Sequence, residues 1–265
     1  MFTVVSSDGT PVACEQHGGS GPALILVGGT LMPRARHTPL ATALAQDFTV
    51  YNYDRRGRGD SGDHPRYEVR REIDDLDALI EHVGGPVLLF GVSSGAVLAL
   101  EAVSRGSAVS ALALYEPPFV VDGSRAPLPS DYVDRLKALL ARGDTAAALT
   151  HFLTVGLAMP PAAVDGMRQN PVWAAWEAAA HTLPYDGLLM ADLMSGLPLP
   201  RDRWSGVTIP VLVGHGDAGE ASMTHAAREL ASHGANYTLH TLPGQNHNVD
   251  PNALAPVLTA FFTGV

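Results

Sequence analysis

The sequence predicts an α/β fold with a mostly parallel sheet and a helical insert late in the chain. Three observations carry this. Apolar runs of strand length at Ala23–Val27, Thr49–Tyr53, from Val87, and at Val109–Tyr115 alternate with segments whose apolar residues recur at helical spacing. Ala23–Val27 is apolar without a break, as in a strand covered on both faces. The alternation stops after Glu116-Pro117-Pro118, roughly 85 residues follow without a strand pattern, and it resumes at Val211–His215.

Taken in order, Phe2–Ser6 and Val12–Gln16 are strand-like runs joined at Asp8-Gly9, which predicts an opening antiparallel pair. Thr38-Pro39 reads as an N-cap with proline at the first helical position, leading into Leu40–Ala45. Val69, Ile73, Leu76, Ile80 and Val83 mark one face of a helix. After the Val87 strand a helix runs to about Arg105. Within the insert, helices are expected at Tyr132–Ala141 and near Thr145–Leu157, followed by a proline-broken segment holding Trp173, Trp176, Met167 and Met190. A helix at Ser222–Ser232, a strand at Asn236–Leu242 and a helix at Pro251–Phe262 close the chain. Residues 1–117 and 204–265 are therefore read as one α/β core and 118–203 as a helical cap, the alternative being a second domain with its own core.

The 265 residues are 46% apolar and suffice for a large buried core. The formal charge of −10 disfavours nucleic acid, whose phosphates would be repelled. The opening residues lack a basic region followed by an apolar core, no apolar run approaches a membrane span, and the single cysteine, Cys14, forms no internal disulfide, so a cytoplasmic protein is expected. The histidines show no metal-ligand spacing. No metal and no cofactor are expected, and a small molecule is the expected partner of a monomer or homodimer.

Gly91-Val92-Ser93-Ser94-Gly95 joins the Val87 strand to an apolar helix. Strand, G-x-S-x-G, helix is the context in which the central serine stands on a sharp turn with its hydroxyl exposed. Ser93 is thus the candidate nucleophile. A serine hydroxyl needs a base, and the base needs an orienting group. Such groups lie at the carboxyl ends of strands in an open sheet. Asp217, after the Val211–His215 strand, and His247, between the last strand and the last helix, occupy such positions. His215 ends a strand and is read as structural.

With Val27-Gly28-Gly29-Thr30, with Asp54-Arg55-Arg56-Gly57-Arg58-Gly59-Asp60-Ser61, with the serine elbow and with the late Asp and His, the chain resembles the α/β-hydrolase fold proteins from end to end. The resemblance is to the capped, cofactor-free serine hydrolase branch, which includes esterases and haloperoxidases. It implies a mostly parallel eight-stranded sheet with flanking helices and a helical cap. It implies a triad of Ser93, His247 and Asp217, with Glu116 as the competing acid at a position some relatives use. It implies an oxyanion hole of the Thr30 and Ser94 N–H groups, Leu31 replacing Thr30 if the loop register differs. Many relatives carry His-Gly where this chain has Gly28-Gly29. Relatives that open epoxides or haloalkanes carry Asp where Ser93 stands, so those chemistries are disfavoured. The expectation is hydrolysis of an ester or related acyl bond of a small, mainly apolar substrate, with Trp173, Trp176 and Met190 lining the pocket. A cofactor-free haloperoxidase or perhydrolase, and a slow-turnover binding protein, are the alternatives.

Overall fold

A computed structural model describes residues 1–265, the side chain of Ala191 excepted. Eight strands form one sheet: β1 (Phe2–Val5), β2 (Pro11–His17), β3 (Ala23–Val27), β4 (Thr49–Tyr53), β5 (Val87–Val92), β6 (Val109–Tyr115), β7 (Val211–Gly216) and β8 (Tyr237–Leu242). Their spatial order is β1-β2-β4-β3-β5-β6-β7-β8. β1 pairs antiparallel with β2 and β2 with β4, and every later pairing is parallel. This is the α/β-hydrolase fold. β5 and β7 are buried at every residue, which explains their unbroken apolar sequences.

Helices cover both faces. α2 (Val69–Val83), α3 (Ser94–Ser104) and α9 (Ala221–Ala231) lie over one face, where Ile73, Leu76, Val97, Leu100, Ala226 and Leu230 share a core with the sheet. α1 (Thr38–Leu44) and α10 (Pro251–Thr263) lie over the other, where Leu40, Leu44, Leu254, Leu258 and Phe262 meet Phe48 and Phe90. The proposed cap at Thr38 is absent. A 3₁₀ turn, Arg34–His37, runs directly into α1, so the Thr38 N–H already bonds the Ala35 carbonyl and its hydroxyl turns to Glu15 instead.

Between β6 and β7 lie α4 (Tyr132–Ala141), α5 (Thr145–His151), a π turn (Phe152–Gly156), α6 (Pro161–Met167), α7 (Val172–Ala178) and α8 (Leu183–Met190). Two packing relations tie this insert down. Leu189, Met190, Leu193, Met194 and Leu199 join the core beneath the sheet. Tyr132, Leu136, Leu149, Phe152, Trp173 and Leu183 form a separate cluster whose member from outside the insert is Leu31. No helix among the described residues is long and apolar enough to cross a membrane.

The sheet order has a switch point. From β3 the chain steps to β4 on one side, then returns to place β5 on the other. Loops leaving neighbouring strands in opposite directions open a crevice at the strands' carboxyl ends, where ligands bind in open α/β sheets. The loop after β3 and the elbow after β5 border it.

Candidate active site

Ser93 is built by crowding. Its backbone sits at φ 56°, ψ −129°, a region that costs a non-glycine residue about 1–3 kcal/mol and persists only where the surroundings enforce it. A Cβ at Gly91 would fall 2.5 Å from the Gly95 carbonyl oxygen, and one at Gly95 would fall 2.4 Å from the Val27 carbonyl oxygen. Both flanking positions therefore require glycine. The Ser93 N–H donates to the Tyr115 carbonyl at 3.0 Å, extending the β5–β6 ladder through the strained residue.

Across the crevice, a Cβ at Gly29 would meet the Ser93 Cβ at 3.0 Å, so the loop after β3 lies against the candidate nucleophile. In that loop Leu31 holds φ 56°. Among the described residues the N–H groups of Thr30, Leu31 and Ser94 bond no protein acceptor. Ser94 opens α3, so its N–H also carries the positive end of the helix dipole. Thr30 Oγ1 and Ser94 Oγ are joined by a 3.1 Å hydrogen bond. The side chains of the two expected oxyanion donors are thus tied together.

His247 Nδ1 donates to Glu116 Oε2 at 2.8 Å. Glu116 follows β6, is 0% exposed, and takes φ 46°. Its other oxygen accepts from the Gly216 N–H at 3.0 Å, and its own N–H donates to the Gly214 carbonyl. The carboxylate is thus held between β6 and β7 and aimed at the imidazole. Tyr115 adds a brace, its hydroxyl donating to the Asn246 carbonyl at 2.8 Å, one residue before the histidine.

Asp217 does not meet His247. It lies exposed after β7, and its Oδ1 accepts from the Gly244 N–H at 2.6 Å. Of the two acids considered for orienting His247, the structure places Glu116, and not the expected Asp217, at hydrogen-bond distance from it. The reason is distance and register. The Tyr115–Asn246 bond holds the loop between β8 and α10 at the end of β6, where Glu116 meets the imidazole, while Asp217 bonds Gly244 at the start of that loop. His215 is buried, its Nδ1 donating to the Gly216 carbonyl and its Nε2 accepting from Thr241 Oγ1 at 2.9 Å.

The residues expected to line a pocket fall in two apolar clusters, one of which takes in Leu31 of the loop after β3. Trp173 is buried in the insert's own cluster, donates to Glu177 Oε2 at 3.1 Å and lies beneath Arg168. Trp176 packs partly buried against the same cluster, and Met190 belongs to the core beneath the sheet.

A buried ionic cluster beside the elbow went unread in the sequence. Arg55 binds Glu72 through Nε and Nη2 at 2.7 and 2.8 Å, and its Nη1 lies 3.0 Å from both Ser94 Oγ and Asp186 Oδ1. Arg58 donates to Asp186 Oδ2 at 2.7 Å. Burial opposes the charge on Asp186, but Arg58 and Arg55 outweigh it and hold the carboxyl below its ordinary range. Burial is likewise outweighed at Glu72 by Arg55 and Arg58, and at Arg55 by Glu72 and Asp186, whose attraction raises the guanidinium well above its usual value. A signal existed: Glu72 and Asp75 fall on the apolar face of α2, where a charge needs a partner, and three arginines crowd Arg55–Arg58.

The chain matches the model of the alpha/beta hydrolase family over residues 17–258. An alpha/beta hydrolase from Sphaerobacter thermophilus is 51% identical, with a TM-score of 0.91, covering 98% of this chain and 100% of that one. The N-formylmaleamate deformylase of Pseudomonas putida is 34% identical over 140 residues, 50% of this chain and 52% of that protein, so the match spans about half of that curated relative. The enol-lactonase of Burkholderia xenovorans shares the fold at TM-score 0.72, 21% identical over 99% of this chain and 100% of that one.

Proposed function

Because the chain belongs to the alpha/beta hydrolase family, we propose that it is a serine hydrolase that cleaves an ester or related acyl bond of a small substrate through Ser93, His247 and Glu116. The observation that carries this is the 2.8 Å bond from His247 Nδ1 to a fully buried Glu116, just past the strand beside the one that leads into the strained Ser93. A carboxylate at Nδ1 fixes the tautomer and leaves Nε2 free to accept a proton. His247 then takes the Ser93 proton as Oγ attacks the acyl carbon. The Ser94 N–H and a donor from the Thr30–Leu31 loop receive the oxyanion. The protonated imidazole gives its proton to the leaving group, and a water activated by the same nitrogen cleaves the acyl-enzyme. The deformylase named among the relatives removes a formyl group, an acyl transfer this arrangement also serves.

Residues 118–203 act in this reading as a cap over the crevice. Two features support it: Leu31 of the oxyanion loop packs into the insert's cluster, and Asp186 of α8 reaches Arg55 and Arg58 below.

A fluorophosphonate tests the nucleophile. One adduct per chain is expected, mapped to Ser93 by peptide mass spectrometry, lost in Ser93→Ala and kept in Ser94→Ala. Labelling and p-nitrophenyl ester turnover that survive Ser93→Ala would end the proposal.

A further inference from the structure

Resting on the acyl-transfer reading above, we propose that Arg55 is a positioning residue for the oxyanion hole, and that Asp186 makes the hole's geometry depend on the seating of the helical insert.

One guanidinium joins three parts of the site. Arg55 Nη1 is 3.2 Å from the Gly28 carbonyl, where the oxyanion loop begins, 3.0 Å from Ser94 Oγ, in the residue after the nucleophile, and 3.0 Å from Asp186 Oδ1 on α8. Thr30 Oγ1 closes the circuit onto Ser94 at 3.1 Å. The two residues whose N–H groups face the oxyanion are therefore set relative to each other through side chains that end on Arg55. Glu72 anchors the remaining edge of the guanidinium bidentately, so the planar fork has little freedom of its own.

The cluster is charge-balanced. Arg55 and Arg58 face Glu72 and Asp186, and all four are nearly excluded from solvent. Glu72 is also occupied by the Tyr67 hydroxyl at 2.7 Å. If α8 lifts, Asp186 leaves, and Arg58 and Arg55 must both turn to Glu72, already 3.6 Å from Arg58. A buried cation without its partner cannot stay in place. The pull on Arg55 is transmitted to Gly28 and Ser94, and the two oxyanion donors move apart. Further contacts make α8 a defined seat: Tyr185 stacks on Tyr67 with ring centroids 3.8 Å apart, and its hydroxyl donates to Asp63 at 2.8 Å. The insert thus does more than shield the crevice. Its docking completes the catalytic geometry, which couples closure over substrate to stabilisation of the oxyanion.

The test separates positioning from stability. Arg55→Lys keeps the charge and loses the fork, Asp186→Ala removes the insert's contribution, and Asp75→Asn breaks the neighbouring buried pair with Arg56, which touches neither Gly28 nor Ser94. For each, active sites are titrated with a fluorophosphonate and kcat, KM and the affinity of a trifluoromethyl ketone are measured per titrated site. Removal of a whole oxyanion donor costs about 10²–10³-fold, so displaced donors are expected to lower kcat about 10–100-fold in Arg55→Lys and Asp186→Ala, with KM nearly unchanged. Ketone affinity should fall by the same factor as kcat/KM, because the ketone adds Ser93 to form the same oxyanion. Asp75→Asn should lose thermal stability and keep both values per site. Equal per-site kcat in Arg55→Lys and wild type overturns the proposal, as does a ketone affinity that does not follow kcat/KM. If Asp186→Ala fails to fold, Arg55→Lys decides alone. Loss of the acyl-transfer reading would show separately, as turnover that survives Ser93→Ala.

Discussion

At the scale of single residues, burial distinguishes the two carboxylates weighed as partners of His247. A carboxylate in water is hydrated and mobile, whereas Glu116 is sealed from solvent and held by the Gly216 N–H. Glu116→Gln should leave the fold intact and reduce kcat by several orders of magnitude, as amidation of a triad acid elsewhere costs about 10⁴-fold. Asp217→Asn, an exposed change, should alter kcat/KM by no more than about twofold, the scale of an ordinary surface substitution. Steady-state ester hydrolysis by the two variants checks this, and a silent Glu116→Gln would return the role to Asp217. His37 supplies a second residue-scale expectation. Burial, and to a lesser degree Arg36, depress its pKa from 6.5 to about 4. The folded state thus disfavours the proton that the unfolded chain accepts. Its contribution to stability is complete above pH 6.5 and is lost as pH falls toward 4, by up to about 3 kcal/mol. Urea unfolding between those limits should show the slope, and His37→Gln should remove most of it. An unchanged slope in the variant would place the proton elsewhere.

The elbow is a property of two elements pressed together. β5 and α3 meet the end of β3 so closely that Gly95 has the Val27 and Gly28 carbonyls within 2.4 and 2.5 Å of where a Cβ would sit. These are backbone atoms, unable to step aside as a flexible side chain can. Gly95→Ala must push α3 away from β3, shifting Ser93 and the Ser94 N–H together. A loss of about 1–3 kcal/mol of stability is expected, the usual penalty for overpacking, with fluorophosphonate labelling slowed at least about tenfold. Labelling at the wild-type rate in a stably folded Gly95→Ala protein would show that the elbow tolerates the shift.

For the whole molecule, the accessible surface of 11077 Å² matches the roughly 11,000 Å² expected of a compact 27.8 kDa monomer. The insert is therefore packed on the core and shares it, since Leu189, Met190 and Leu193 lie in the same cluster as Val97 and Leu112. A shared core predicts joint unfolding. Of the 3 tryptophans, Trp173 and Trp176 lie in the insert and Trp204 in the core beneath the sheet, so fluorescence of a Trp204→Phe variant reports the insert while far-ultraviolet circular dichroism reports the whole chain. The two urea transitions should coincide. A fluorescence transition at lower urea would show the insert melting first and would disprove the joint core.

How much of this was legible in the chain itself follows from which forces are local. Strand positions, the antiparallel opening, the helical insert and the serine elbow were readable, because apolar periodicity and the glycines of Gly91–Gly95 act over a few residues. Asp186 was not readable as a neighbour of the site, and the resemblance offered Glu116 and Leu31 only as alternatives to Asp217 and Thr30. Glu116 meets His247 across 131 positions and Asp186 meets Arg55 across the same span, so their pairing exists only once the sheet order and the docking of α8 are set. The apolar composition of the insert suggested a pocket at Trp173 and Met190, yet which apolar side chains face substrate and which face one another is settled by packing. The sequence by itself determined the fold and the strained turn of the candidate nucleophile. The tertiary structure alone decided which carboxylate is buried against His247, because exclusion from water is a property of the assembled molecule and of no segment within it.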